Sequence, residues 1–236
     1  MANTYFQFKQ FKIEQKACAN KVSTDACVFG AWMSKLIQEG SVLDVGAGSG
    51  LLALMIGQEH KGTIRGIEIE SACAEQAGEN IRENGFEHIQ IIEGDIRNWE
   101  SEQKFDWIIS NPPFFNNSSK NEDTKRNMAR QTETLGPADW SDILNQLGHQ
   151  DSTVALLLSN NDVLASYESN LKLAGYRFQQ KLSLLDKQSS ACKRVLLFAK
   201  QKAFKIEVPE IFIYKNDFET YSDEFIDLLS PFYIYL

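Results

Sequence analysis

A short apolar run, Ser41-Val42-Leu43-Asp44-Val45, passes directly into Gly46-Ala47-Gly48-Ser49-Gly50 and then into a helical stretch from Leu51 to Gln58. A buried strand that turns through alternate glycines into a helix restricts the chain to folds of the α/β kind. The glycines permit positive φ and close approach of backbone to a ligand, and a helix start presents unpaired N–H groups. The spacing is G-x-G-x-G, with Leu51 standing where a dinucleotide-binding turn takes its third glycine. Taken alone, the turn suits either a cofactor site or a purely structural bend.

The alternation continues along the chain. Thr63 to Glu68, His88 to Glu93, Phe105 to Ile109 and Thr153 to Leu158 read as strands. Helical patterns cover Glu70 to Asn84, Gly136 to Gln150 and Asp162 to Ala174, and Tyr176 to Leu185 with Arg194 to Ala199 close the series as a strand pair. The expected fold is α/β, a doubly wound, mostly parallel seven-stranded sheet. One domain is expected over 1–236, with an N-terminal extension and gate in 1–35 and the core in 36–236. A chain of 236 residues that is 43% hydrophobic holds ample material for that core.

Ahead of the first core strand, Tyr5, Phe6, Phe8 and Phe11 are interleaved with Lys9 and Lys12. The pattern reads as a half-buried strand in preference to a base-stacking RNA platform. Thr24 or Asp25 is placed to cap a helix over the apolar Ala26 to Met33. Near the other end, Tyr221-Ser222-Asp223-Glu224-Phe225 signals a cap and an amphipathic helix folded back on the core.

Composition narrows the function. No apolar run reaches the roughly 20 residues of a membrane helix, and the Met1 to Lys16 stretch lacks the apolar centre of a signal peptide, so a cytoplasmic protein is expected. Cys18, Cys27, Cys73 and Cys192 form no C-x-x-C pair, and His60, His88 and His149 share no ligand spacing. Neither a metal site nor a disulfide framework is therefore expected. A net charge of −8 opposes indiscriminate nucleic-acid binding. Between Lys172 and Lys205, however, seven lysines and two arginines face Asp186 alone, which suits either a solvated face or a polyanion-binding surface.

Four elements converge on one edge of the expected sheet, because ligands of open α/β sheets bind outside the carboxyl ends of the strands. They are the glycine turn after Asp44, Glu68 at the end of the next strand, Asp95 after the third, and Asn111-Pro112-Pro113-Phe114 after the fourth. A carboxylate at Glu68 suits a ribose diol, Asp95 an adenine amino group, and an amide followed by prolines and an aromatic ring suits a planar NH2. The polar stretch 116–130, with Arg126 and Arg130, reads as a loop over the crevice mouth.

This set resembles the class I S-adenosylmethionine-dependent methyltransferases of Rossmann-like fold, and among them the amino-methyltransferases with N-P-P-F/Y/W after strand four. More narrowly, Phe6-Gln7-Phe8-Lys9-Gln10-Phe11, Lys21-Val22-Ser23-Thr24-Asp25, Gly30-Ala31-Trp32, Asn111-Pro112-Pro113-Phe114-Phe115 and Tyr221-Ser222-Asp223-Glu224-Phe225 resemble the tRNA-Val (adenine-37-N6)-methyltransferase family. Phe114 stands where other members carry Tyr. The resemblance implies S-adenosylmethionine as cofactor, held by Lys21, Thr24, Asp25, Asp44, Gly46, Gly48, Gly50, Glu68, Asp95 and Asn111. It implies a catalytic set of Asn111, Pro112, Pro113 and Phe114 with no metal, and tRNA as substrate; the oligomeric state stays open, with a monomer favoured. Lys9, Lys12, Arg126, Arg130, Lys193 and Arg194 are the basic candidates for RNA contact. Three alternatives stay open: methylation of another planar amine (guanine N2, DNA adenine or a glutamine amide), a non-catalytic cofactor- or RNA-binding module, and a nucleotide-dependent oxidoreductase.

Overall fold

The chain folds as β1 (Tyr5–Gln7), β2 (Lys12–Glu14), α1 (Thr24–Leu36), β3 (Val42–Val45), α2 (Leu51–Gly57), β4 (Ile64–Glu68), α3 (Ser71–Glu83) and β5 (Ile89–Glu93). A 3-10 turn (Ile96–Asn98), β6 (Phe105–Ser110), α4 (Asp139–Leu147), β7 (Gly148–Leu158), α5 (Asn161–Leu173), β8 (Arg177–Leu185), β9 (Lys193–Ala199), β10 (Glu210–Phe212) and α6 (Asp223–Leu229) follow. This computed structural model describes residues 3–112, 135–158, 161–185, 193–200, 210–215, 217 and 219–236.

The central strands bury both faces, so successive side chains enter different cores. Along β7, Ala155 and Leu157 join the core under α1 and α2, whereas Val154, Leu156 and Leu158 join the one under α4 and α5. The sheet runs β10-β8-β9-β7-β6-β3-β4-β5. Its pairs are parallel except where β9 runs antiparallel to β7 and β8. All seven expected strands are present, and β10 is an eighth. Its three residues, of which only Ile211 is buried, are too few to show a period in the sequence. Chain order reverses between β3 and β6, where Asp44 is in register with Ile109. That boundary is the topological switch point, where the strand ends splay into a crevice.

The N-terminal aromatics form a hairpin of their own, with Gln7 opposite Lys12. Phe8 and Phe11 lie in its turn, buried and stacked with ring centroids 4.5 Å apart. Their rings serve the core and offer no surface to RNA. α1 starts at Thr24 after Ser23, which makes no side-chain cap bond, so Thr24 and Asp25 sit in the first turn and not at the cap. In α6 the expected cap is present: the Phe225 N–H donates to Ser222 Oγ over 3.1 Å. Among the described residues no helix is long and apolar enough to cross a membrane.

From β2 onward the extended N-terminal segment is fastened to one face of α3. Asn84 exchanges two bonds with the Lys12 backbone, at 2.9 and 2.8 Å. Asn80 does the same with Glu14, at 2.9 and 2.8 Å. Gln76 Oε1 then accepts from the Ala17 N–H at 2.7 Å. These helix positions recur at three- and four-residue spacing, so their amide ends rise from one face and stand in for a neighbouring strand. The last rung is covalent: Cys18 and Cys73 form a disulfide with Cα atoms 4.8 Å apart. This corrects the expectation of unpaired thiols. The two cysteines are 55 positions apart, and only the ladder of amides brings them together. Reducing the bridge is expected to lower stability by about 2–5 kcal/mol. Denaturation midpoints with and without a dithiol check this, and an unchanged midpoint contradicts it.

Candidate active site

The switch point opens into a cavity of about 560 Å³, a size suited to a nucleoside-bearing ligand. Its walls are the glycine turn, Glu68 and Ile69, Gly94 to Ile96, Ser110 to Pro112, Leu135, and the N-terminal residues Asn20 to Ser23.

Gly46 and Gly48 hold φ of 74° and 57°, and a methyl group at either would meet nothing within 4 Å. Their lack of a side chain therefore keeps the cavity open. Gly50 has a different use: at φ 82° it leads into α2, and a Cβ there would lie 3.7 Å from Ala77 and Ile81 of α3. The turn's amides are mostly used within the protein. Gly46 and Ala47 donate to the Ile67 carbonyl at 2.9 and 3.0 Å, and Gly50 donates to that of Ala47 at 2.9 Å. The turn is thus a rigid, preshaped surface, which differs from an open nest of donors.

Glu68 holds this surface in place. Its Oε2 accepts from the Gly48 N–H at 2.8 Å and its Oε1 from the Glu70 N–H at 3.0 Å. A carboxylate oxygen has lone pairs for more than one donor, so Glu68 is both brace and cavity wall. Asp44 lies beneath, fully buried, and neither oxygen has a hydrogen-bond partner among the described residues. Burial first, and then the Glu68 charge, push its pKa up to about 7. It does not line the cavity.

Asp95 lines the far side, but it is already engaged. The Arg97 guanidinium forks onto it, Nε lying 2.9 Å from Oδ1 and Nη2 2.6 Å from Oδ2, while the Arg97 N–H adds a third bond at 3.0 Å. The Arg97 hydrogen bond holds the Asp95 pKa below the usual carboxylate range. Ile69, 47% exposed, and the apolar Ile96 and Leu135 also line the cavity. Of these three, only Ile69 carries a signal in the sequence, as an apolar residue directly after Glu68.

Asn111 and Pro112 reach the cavity from the end of β6. Just before them, Ser110 Oγ donates to the Val45 carbonyl at 2.7 Å, fixing the end of β6 against the end of β3. Asn111 Oδ1 is buried and has no hydrogen-bond partner among the described residues. A buried, unpaired acceptor is costly unless a ligand supplies the donor. Pro113, Phe114, Arg126 and Arg130 lie outside the described residues.

Lys21 borders the cavity, but its ammonium turns into its own loop. It donates to the carbonyls of Gln15, Cys18 (2.6 Å) and Lys16 (3.5 Å), drawing residues 15–18 around itself. Thr24 and Asp25 sit between the lining residues Ser23 and Ala26 without lining the cavity themselves. Lys9 and Lys12 are on the hairpin, bound to the Ser230 carbonyl at 2.6 Å and to Glu14 respectively, and neither borders the cavity. Lys193 and Arg194 begin β9, with Arg194 in register with Leu158 at the carboxyl end of β7. Their backbone therefore lies at the sheet edge that carries the crevice. Among the described residues no group of three or more His, Cys, Asp or Glu could hold a metal.

A reversed parallel sheet with a glycine turn, a braced acid and an Asn-Pro end at one crevice defines a Rossmann-like methyltransferase domain. Residues 18–136 match the family described as the methyltransferase small domain. A tRNA1(Val) (adenine(37)-N6)-methyltransferase of Dyadobacter fermentans is 31% identical over 98% of both chains. Its namesake from Actinobacillus succinogenes is 35% identical over 99% of this chain and 98% of its own. The chain belongs to the tRNA1(Val) (adenine(37)-N6)-methyltransferase family. Among solved structures, one described as a predicted O-methyltransferase of Agrobacterium tumefaciens superposes with a TM-score of 0.63 at 15% identity, covering 88% of this chain and 96% of that one. At that identity the likeness speaks for the fold alone.

Proposed function

We propose that this chain transfers a methyl group from S-adenosylmethionine to the N6 amine of adenine in tRNA, at adenine 37 of tRNA-Val as in the relatives' name. The observation that carries the reading is the buried, unpartnered Asn111 Oδ1 beside Pro112, across the switch point from the open glycine turn.

The cavity fits the cofactor. Glu68 has acceptor capacity for a ribose diol, and Ile69, Ile96 and Leu135 frame a place for adenine, with Asp95 at its rim. The open backbone of Gly46 and Gly48, beside Lys21 and Ser23, suits the amino-acid end. When bound, S-adenosylmethionine supplies an electrophilic methyl group on a sulfonium. The protein's part is to present the amine. An adenine N6 lone pair is delocalised into the ring and is a weak nucleophile while the nitrogen stays planar. Asn111 Oδ1 and the Pro112 carbonyl accept its two hydrogens, which favours a pyramidal nitrogen and stabilises the positive charge that grows on it. The fixed φ of Pro112 and Pro113 limits motion of that second acceptor. The bond from Ser110 to Val45 holds the clamp in register with the glycine turn, so that nitrogen and methyl are aligned before reaction. Phe114 offers a face on which the extruded base stacks.

A tRNA substrate supports a cytoplasmic location for the enzyme. The crevice-edge position of Lys193 and Arg194 favours their contact with RNA phosphates over the hairpin lysines. Replacing both with alanine is expected to weaken tRNA binding and reduce the slope of log affinity against log salt by about 1–2. An unchanged slope would make them a solvated face. The reading as a whole is tested by incubating the protein with labelled S-adenosylmethionine and total RNA, followed by nucleoside analysis. N6-methyladenosine confined to tRNA is the expected product. Methylguanosine, or label in DNA or protein only, would reassign the amine, and preferential binding of NAD in calorimetry would remove the methyltransferase reading.

A further inference from the structure

The rungs between the N-terminal segment and α3 differ in kind. Those at Asn84, Asn80 and Gln76 are hydrogen bonds, which open and re-form readily. The rung at Cys73 is a covalent bond that exists in only one redox state. It is also the rung closest in sequence to the cavity's N-terminal wall: Cys18 comes just before Asn20 to Ser23, which line the cavity. Lys21 of that wall holds the Cys18 carbonyl at 2.6 Å, so the bridge position is passed directly to the wall. On the other side, Cys73 lies in the first turn of α3, just beyond the Glu68 loop. Asn80 of the same helix also donates to the Ser49 carbonyl of the glycine turn at 2.9 Å. Closing the bridge thus ties the N-terminal wall to the helix that already holds the glycine turn.

We propose that Cys18 and Cys73 form a thiol–disulfide exchange site that takes a low-molecular-weight disulfide as oxidant and, when closed, locks the N-terminal wall and slows cofactor exchange. In closing, one cysteine thiolate attacks the oxidant disulfide, forming a mixed disulfide and releasing one thiolate. The second cysteine thiolate attacks the protein sulfur of that mixed disulfide, forming the Cys18–Cys73 bond and releasing the second thiol. Two electrons and two protons leave the cysteine pair, and the oxidant disulfide is reduced to two thiols. A dithiol reverses the sequence. Both cysteines are buried, at 3% and 5% exposure, so a reagent reaches them only when the segment lifts from α3. Bound cofactor, which keeps the wall seated, is expected to slow the exchange, as linkage between two sites requires. In a reducing compartment such bridges are commonly transient or redox-sensing. The inference rests on the cavity being the cofactor pocket.

The test compares the wild-type chain with Cys18→Ser, Cys73→Ser and Cys27→Ser. Each is prepared in dithiol and in glutathione disulfide, with the bridge scored by intact mass and free-thiol count. Dissociation of S-adenosylhomocysteine is then followed by stopped flow. The bridge is expected in wild type and Cys27→Ser but not in the other two. The oxidised wild type should release the ligand about tenfold more slowly than the reduced, equivalent to roughly 1.4 kcal/mol, with recovery on adding dithiol. Failure of the bridge to form, or a bridge that leaves the dissociation rate unchanged, overturns the proposal. Because reduction of the wild type gives the same comparison, a variant that does not fold leaves the test intact. Calorimetry of the reduced wild type with S-adenosylmethionine is scored separately: absence of binding there removes the pocket reading and the gating with it, whatever the thiols do.

Discussion

Replacing Asn111 with alanine is expected to lower the methyl-transfer rate by about 10²–10³-fold, the scale for loss of one preorganised polar group that stabilises transition-state charge. Cofactor affinity should change little, because the remaining walls and the brace of Glu68 on Gly48 are untouched. The alanine also removes an unpartnered buried acceptor from the ligand-free protein, so stability should hold or rise slightly. Asn111→Asp keeps an acceptor in place and is expected to retain more activity than the alanine variant. Single-turnover rates beside calorimetric cofactor affinity separate these effects. Near-normal turnover in Asn111→Ala would end the clamp mechanism, and a parallel collapse of cofactor affinity would make Asn111 a part of the pocket wall.

A second large effect is expected at Asp44, where it depends on pH. In the folded chain its pKa is raised from 3.8 to about 7, burial being the first cause and the Glu68 charge the second. An unfolded chain ionises this group at its ordinary value, so between pH 4 and 7 the folded state binds the extra proton. A raised pKa gives stability that is fully present below the unfolded value and is lost as pH rises through the folded one. Asp44→Asn cannot ionise. Relative to wild type it should therefore gain stability steadily from about pH 4 and reach a plateau near pH 8, with a ceiling of about 4 kcal/mol. Buried amide hydrogens add an offset that does not vary with pH, so the pH-dependent part is the measurement. Urea denaturation at pH 4.5, 6 and 8 reads it directly. A difference that stays flat across that range would show that the carboxylate is not held out of water in solution.

What was legible in the sequence was what local chemistry dictates. The strand that ends in Gly46, Gly48 and Gly50 announces its own turn, because positive φ is written into the residue type. Glu68 and Asn111 could be placed because each ends an apolar run whose direction the alternating units determine. Roles that depend on which partner a side chain takes in the folded chain stayed hidden. Asp95 looked like a free acceptor, since nothing in its neighbourhood declares that Arg97 folds back on it. Lys21 looked like a cation for a ligand, yet its loop carbonyls satisfy it. Asn80 was not singled out, although one side chain joins β2, α3 and the glycine turn. The disulfide and β10 were missed for the same reason: each depends on segments that meet only once the chain has folded.

The two ends of the described chain also meet. The Lys9 N–H donates to the Phe232 carbonyl at 2.8 Å, and Phe6 and Phe8 pack against Tyr233 with ring centroids 5.7 and 5.9 Å apart. Buried Phe225, Leu228 and Leu229 of α6 share a core with α1, whose Ala26 lines the cavity. During synthesis the hairpin and α1 emerge first, but their cover emerges only after the whole sheet has been made. A nascent chain therefore holds this apolar face open while every core strand is translated, exposed to chaperones and to premature association. Burial of this apolar face is in this way tied to the synthesis of α6, which follows every strand of the sheet.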